Sequence, residues 1–259
     1  MNPLHSWDVS VGEAIQIQEA LKERIILKNT FSKVHPVRNS SRSSKPTGTI
    51  HGRNPAIGGI AEHRRIISNG VKTIGGGDVA YSKNGNLLFG AIVVLSFPDM
   101  EILDTATADG KVRFPYISGL LSFREGPVLT KAFRKLRFKP DVMILDGQGI
   151  AHPRGMGLAS HIGLWLDVPS IGCAKTPLLN EFISPGPSKG SFEWIRREGE
   201  KVGAVLRTRE KVRPLFVSPG HNIDLWTSIQ LVLGSCKGFR SPEPLRKAHH
   251  LSREMQHRA

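Results

Sequence analysis

The run DVMILD (141–146) constrains the fold more than any other stretch of this chain. Its four consecutive apolar residues leave no polar face, so a strand built from them must be covered on both sides. It belongs at the centre of a sheet with helices above and below. Upstream, VKTIGGGDVAYS (71–82) and NLLFGAIVVLSF (86–97) read as strands, and Asn84-Gly85 between them predicts a type I′ hairpin. Pro98-Asp99 turns the chain into a third strand, MEILDTATA. Ser122 and Glu125 read as a capping box that opens a helix over 122–136. A helix over 155–166 and a strand over 169–174 follow. EKVGAVLRT and RPLFVS read as a later pair of strands, and helices near 222–234 and 243–257 complete the order.

An antiparallel three-strand meander that feeds right-handed crossovers gives a mixed α/β sheet, with added parallel strands and helices on both faces. That is the ribonuclease H-like topology, reached by fold-level analogy. Residues 71–259 are read as this domain. Residues 1–28 supply an N-terminal helix over 10–28, with Ser10 and Glu13 as its capping box. Residues 29–70 are rich in Ser, Pro, Gly and Arg, show no periodicity, and read as a basic, disordered insertion.

Net charge is +14, which favours a polyanionic partner such as nucleic acid. Residues 31–65 hold seven Lys/Arg against the single acid Glu62, and residues 237–259 hold six against two. This distribution assigns most of the excess to flexible segments. The two cysteines, Cys173 and Cys236, are too few for a disulfide framework. No apolar run reaches the ~18 residues that cross a bilayer, and the first ten residues lack a signal-peptide core. The expectation is a cytoplasmic monomer with no membrane partner.

Three acids stand at element ends. Asp78 follows Gly75-Gly76-Gly77 in the first strand, Asp146 ends the apolar strand, and Glu125 opens the helix between them. In this topology the first and fourth strands are neighbours, so Asp78 and Asp146 can converge at one sheet edge with Glu125 above. Three close carboxylates repel one another unless cations neutralise them. Hard oxygen ligands of this kind select Mg²⁺ or Mn²⁺ and suit metal-assisted phosphodiester hydrolysis. Each acid also has an ordinary reading: Glu125 as a helix cap, Asp146 as a turn residue, Asp78 as an exposed position on an edge strand.

The segments GGGDVAYS, VRFPYISGLLSFREGPVL, KPDVMILDGQGIAHPRGMGLASHIGL, IGCAK, VLRTR, FVSPGH and SPEPLRKAH resemble the signature blocks of the endonuclease V family. SWDVSVGEAIQIQEAL resembles that family's N-terminal helix. The likeness spans about residues 5–28 and 71–251 and leaves most of 29–70 outside. It implies Mg²⁺-dependent cleavage of DNA at deaminated bases, chiefly deoxyinosine. The expected cut is at the second phosphodiester 3′ to the lesion, leaving 3′-hydroxyl and 5′-phosphate ends.

The resemblance makes Asp78, Glu125 and Asp146 the metal ligands. It places His249 near the metals, to position the attacking water or help hold a metal, and Lys175 beside the scissile phosphate or nucleophile; it gives Tyr116 the part of a wedge that fills the gap left by an extruded base. The matching lesion-pocket positions are Gly119, Leu121, Gly147, Gly149, His152 and Leu158. Ser118 stands where family members commonly carry Pro, which frees that loop's φ. Leu245 and Lys247 also depart from the usual block around His249. Two alternatives stay open on the sequence. One is an inosine-directed ribonuclease. The other is a lesion-binding protein without catalysis, against which all three acids, Lys175 and His249 speak.

Overall fold

The computed structural model describes residues 4–30 and 70–259. Most of the expected insertion, 31–69, therefore lies outside the described residues. Its first two residues are tied to the domain: Asn29 Nδ2 donates to Asp224 Oδ2 at 2.6 Å, and the Thr30 amide donates to the Asn222 carbonyl at 3.3 Å.

The sheet has eight strands: β1 (Thr73–Tyr81), β2 (Leu87–Ser96), β3 (Ile102–Lys111), β4 (Val142–Leu145), β5 (Ser170–Ala174), β6 (Phe192–Arg197), β7 (Glu200–Leu206) and β8 (Leu215–His221). Their order is β3-β2-β1-β4-β5-β8-β7-β6. β1 to β3 form the antiparallel meander, and β4 and β5 run parallel to β1 and to each other. β5 to β8 pair antiparallel and close the far side. VMIL of β4 is fully buried, as a strand covered on both faces must be.

Five helices cover the sheet or pack beside it: α1 (Val11–Lys22), α2 (Leu121–Arg134), α3 (Leu158–Leu166), α4 (Leu225–Gly234) and α5 (Glu243–Arg258). α2 and α3 bury Val128, Leu129, Phe133, Ile162 and Trp165 against one face. α4 and α5 bury Ile229, Leu231 and Leu245 against the other. The chain alternation in β1 shows both layers. A side chain on Gly77 would strike Leu145 and approach Leu129 of α2, whereas one on Gly76 would strike the Pro244 carbonyl at 2.1 Å. Only glycine at position 76 lets the start of α5 lie directly on β1.

Several local expectations are corrected. The capping box at Ser10 and Glu13 forms, but the one at Ser122 and Glu125 does not. α2 starts at Leu121 with no side-chain cap, because Ser122 bonds His161 and Glu125 bonds Tyr81 instead. The hairpin at Asn84-Gly85 is real, but the Gly85 amide closes on the Ser82 carbonyl and only Gly85 of the pair has positive φ (73°). A type I′ turn needs positive φ at both central residues. The N-terminal helix ends at Lys22 rather than at 28, and β6 had no counterpart in the sequence reading. Finally, the basic stretch 237–259 is not flexible, since sixteen of its residues form α5.

Among the described residues no helix is long and apolar enough to cross a membrane. Both cysteines are free and buried.

Candidate active site

The parallel pairing of β1 with β4 ends at Gly77 opposite Leu145. Asp78 and Asp146 are each the next residue along, and the Asp146 amide still reaches back to the Gly77 carbonyl at 3.4 Å. The two acids therefore leave neighbouring strands side by side, about 4.8 Å apart at the backbone. Asp78 points to the α5 face. There Ser252 Oγ donates to its Oδ2 at 2.7 Å, and His249 Nδ1 lies 3.2 Å from the same oxygen. Glu125 descends from α2 on the opposite face and accepts from the Tyr81 hydroxyl at 2.6 Å. Lys175, just past β5, forms an ion pair with Asp146 Oδ2.

Asp78 and Glu125 are both 8% exposed. Burial is the main cause that raises each carboxyl's pKa, and repulsion from the neighbouring acids raises it further. Glu125 is pushed up to about 8, against the opposing hydrogen bond from Tyr81. Both Asp78 and Asp146 act on Glu125, and Asp146 acts on Asp78, so the three charges form one interacting group. Tyr81 is raised as well, first by burial and then by the Glu125 charge. Taking a carboxylate out of water costs several kcal/mol unless a partner repays it. Two buried acids with raised pKa therefore want a proton or a cation. Among the described residues no three acid, His or Cys side chains form a ready-made metal cage. Each carboxylate is instead turned to its own partner: Ser252 and His249, Tyr81, or Lys175.

Beside the acids opens a pocket of about 300 Å³. Asp146 and Lys175 belong to its wall, so the pocket and the acid group share a residue. Tyr116, Gly119, Leu121, Gly147, His152 and Leu158 line it. Gly149 does not. It sits behind the wall, its amide donating to Ser218 Oγ at 2.8 Å, where a side chain would strike the Pro219 carbonyl at 2.1 Å. Tyr116 stands at the mouth, 75% exposed, which excludes a packed core role.

His152 is a wall element rather than a titrating group. Its Nε2 donates to the Gly119 carbonyl at 3.0 Å, and its Nδ1 accepts from the Arg154 amide at 3.2 Å. Burial, with Arg154 second, lowers its pKa to about 4. The Gly119 carbonyl is thus already engaged. Gln18 Nε2 and Arg154 Nη2 also donate to it, each at 2.9 Å.

A family model for endonuclease V matches residues 59–250. The chain belongs to the endonuclease V family. It is 43% identical over 249 residues to the endonuclease V of Methanothrix thermoacetophila, covering 96% of this chain and 93% of that one. The structure of the Streptomyces avermitilis endonuclease V superimposes with a TM-score of 0.78 at 33% identity, over 98% of this chain and 96% of that one. The Ciona intestinalis endonuclease V, solved with a 23mer DNA containing an inosine followed by a ribo-adenosine, gives 0.72 at 27% identity, over 96% and 97%. The expected ribonuclease H-like fold is the one these endonuclease V structures share with this chain, and the family is one of endonucleases.

Against the endonuclease V motifs, the sequence reading missed Tyr81, Ser252 and Gln18. Signals for them existed. Tyr81 is three residues past Asp78 on one strand, so alternation turns it to the Glu125 side. Ser252 is one helical turn past His249. Gln18 falls on the buried stripe of Ala14 and Leu21, and a polar residue there needs partners: it donates to Gly119 and Met156.

Proposed function

We propose that this endonuclease acts in DNA repair, recognising deoxyinosine and hydrolysing the second phosphodiester bond 3′ to it, with 3′-hydroxyl and 5′-phosphate products. The observation that carries this reading is the shared wall: a base-sized pocket, near the lower end of the ~300–1,000 Å³ range of ligand sites, has Asp146 and Lys175 in its lining. The complex of the Ciona relative with inosine-containing DNA supports the choice of base.

The donor set fits a hard divalent cation, Mg²⁺ with Mn²⁺ able to substitute, because its oxygens are carboxylate and two of them are buried with raised pKa. Asp78, Glu125 and Asp146 would hold it, and when bound it supplies charge neutralisation at the phosphate. The protein's own groups do the rest. With Nδ1 facing Asp78, His249 has Nε2 left to orient the attacking water. Lys175 pairs with Asp146 and offers an ammonium to the developing phosphate charge. Tyr116 stacks where the extruded base leaves a gap. Hypoxanthine carries an N1–H that adenine lacks. With the Gly119 carbonyl saturated, another backbone oxygen of the wall accepts it.

The test is the full-length protein with Mg²⁺ on a labelled duplex containing one deoxyinosine, with deoxyadenosine as control and the cut position mapped. Nicking of the inosine strand alone, two bonds to the 3′ side, is expected. Equal cutting of both duplexes, or none, overturns the reading. An inosine-directed ribonuclease remains the second reading, because the Ciona complex holds a ribonucleotide directly after the inosine. Matched RNA and DNA strands cut side by side decide between them.

A further inference from the structure

A second cavity adjoins the acids on the α5 side. Its lining is Arg246, Lys247, His249, His250 and Arg253, without a single acidic or apolar side chain. His249 belongs to this groove and also meets Asp78 at 3.2 Å. Asp146 and Lys175 belong to the base pocket. The acid group therefore stands between a pocket of base size and a groove of positive charge.

The groove is held firmly. α5 buries Leu245, Ala248 and Ser252. Arg246 pairs with Glu243 at 2.6 Å and lies 3.5 Å over the Phe239 ring. The acids nearby are already used: Glu243 by Arg246, and Glu254 by His250 at 3.1 Å and Arg258 at 3.9 Å. Lys247 and Arg253 are exposed and face no carboxylate within ion-pair distance among the described residues. Six residues apart on a helix, they are separated by about 9 Å along its axis. That span reaches two neighbouring phosphates of one strand.

We infer that Lys247 and Arg253 hold the phosphates of the substrate strand immediately 3′ to the cut bond. The inference rests on the function proposed above, which puts the recognised base on the pocket side and the cut bond 3′ to it. A strand that runs from the pocket over the acids has this groove as its exit. Anchoring at both ends, by base and by phosphate, then strengthens the hold on the strand that crosses the acids. The contribution is electrostatic and independent of sequence.

The experiment compares the full-length protein with a Lys247→Ala/Arg253→Ala double variant, both checked for equal melting temperature. Binding to inosine duplexes is measured without divalent cation across a salt series, and single-turnover nicking with Mg²⁺ is measured at saturating protein. Three duplexes are used: native, one with neutral methylphosphonate linkages 3′ to the cut bond, and one with them 5′ to the lesion. The salt slope of the variant is expected to be shallower by about 1.8, at about 0.9 per phosphate contact. Saturated nicking should move less than twofold while affinity falls about tenfold at physiological salt. Neutral 3′ linkages should weaken the unsubstituted protein and leave the variant unaffected. Neutral 5′ linkages should weaken both alike. A variant as sensitive as the parent to 3′ neutralisation, or one with an unchanged slope, overturns the inference even if inosine is cut as proposed. If inosine is not cut at all, the function proposed above fails, and the slopes on lesion-free duplex still decide whether the groove binds phosphate.

Discussion

Ser122 and Glu125 sit one turn apart on α2, both buried, and enter two polar clusters of opposite character. The Ser122 cluster is neutral and closed. Ser122 Oγ meets His161 Nδ1 at 2.8 Å, His161 Nε2 meets His5 Nε2 at 2.7 Å, and His5 Nδ1 meets the Ser6 carbonyl at 2.6 Å. One assignment of protons satisfies every link: Ser122 donates to His161, His161 to His5, and His5 to Ser6. Both rings are then neutral. Trp7, Phe123 and Trp165 pack around them with centroids 4.3–6.0 Å apart. The Glu125 cluster is the reverse, with Glu125 and Asp78 raised by burial and by the charges of neighbouring acids. The difference separates two uses of buried polarity. A satisfied network holds the N-terminal segment against α2 and α3, whereas an unsatisfied one fits the cation site proposed above.

The sharpest way to break this contrast is Asp78→Asn. Removing one charge from a mutually repelling group should cost the fold nothing, and the melting temperature should hold or rise. Nicking of an inosine duplex should fall by more than about 10³-fold, equivalent to ~4 kcal/mol of lost transition-state stabilisation. Thermal unfolding and single-turnover rates read both. A fall in stability without loss of rate would make Asp78 a structural residue and erase the distinction.

His161→Ala should show the opposite pattern. It leaves a cavity among aromatic rings and removes the partner of both Ser122 and His5. The expected loss is about 2–4 kcal/mol of stability. Because the His161 side chain lies outside the acid group and the pocket lining, the rate of the folded protein should stay within a few-fold. Denaturant titration and nicking at 25 °C check this. A collapse in rate at full stability would tie the two clusters together.

How far such clusters are visible beforehand depends on what defines them. The centre of the fold was legible because VMIL has no polar face to offer. The acids were legible because Asp78 and Asp146 each stand at a chemically abrupt strand end. The pairing of Ser122 and Glu125 was misread because their spacing also fits a helix cap. Their real partners lie 39 and 44 residues away, at separations that local pattern cannot report. β6 escaped because it is an edge strand whose residues FEWIRR are mostly half-buried, so inward and outward positions differ little in polarity. Gly149 was grouped with Gly147 by motif, although a strand-end turn places one on the pocket and the other against β8.

The smallest effect sharpens the comparison through pH. Burial lowers the pKa of His161 well below its ordinary value, and His5 is lowered for the same main reason. The unfolded chain then binds protons that the native state refuses. Stability from these rings is complete above the unfolded value of ~6.5 and is lost as pH falls below it. Between pH 7 and 5.5 the His161 share is about 1 kcal/mol, at ~1.4 kcal/mol per pH unit once the unfolded ring is mostly charged. Glu125, pushed up to about 8, holds a proton in the native state across this window and so opposes the slope. Burial also lowers His152 and His221, so they add to the same slope. The measurement is therefore a difference between the unsubstituted protein and His161→Gln, by denaturant unfolding at pH 7 and 5.5. The variant should start less stable and lose less on acidification. Equal losses would mean that His161 already carries a second ring proton, and so a charge, in the native state. His5, with its own Nδ1 proton given to Ser6, would then be its proton acceptor at Nε2, and the cluster described as neutral would hold a charge.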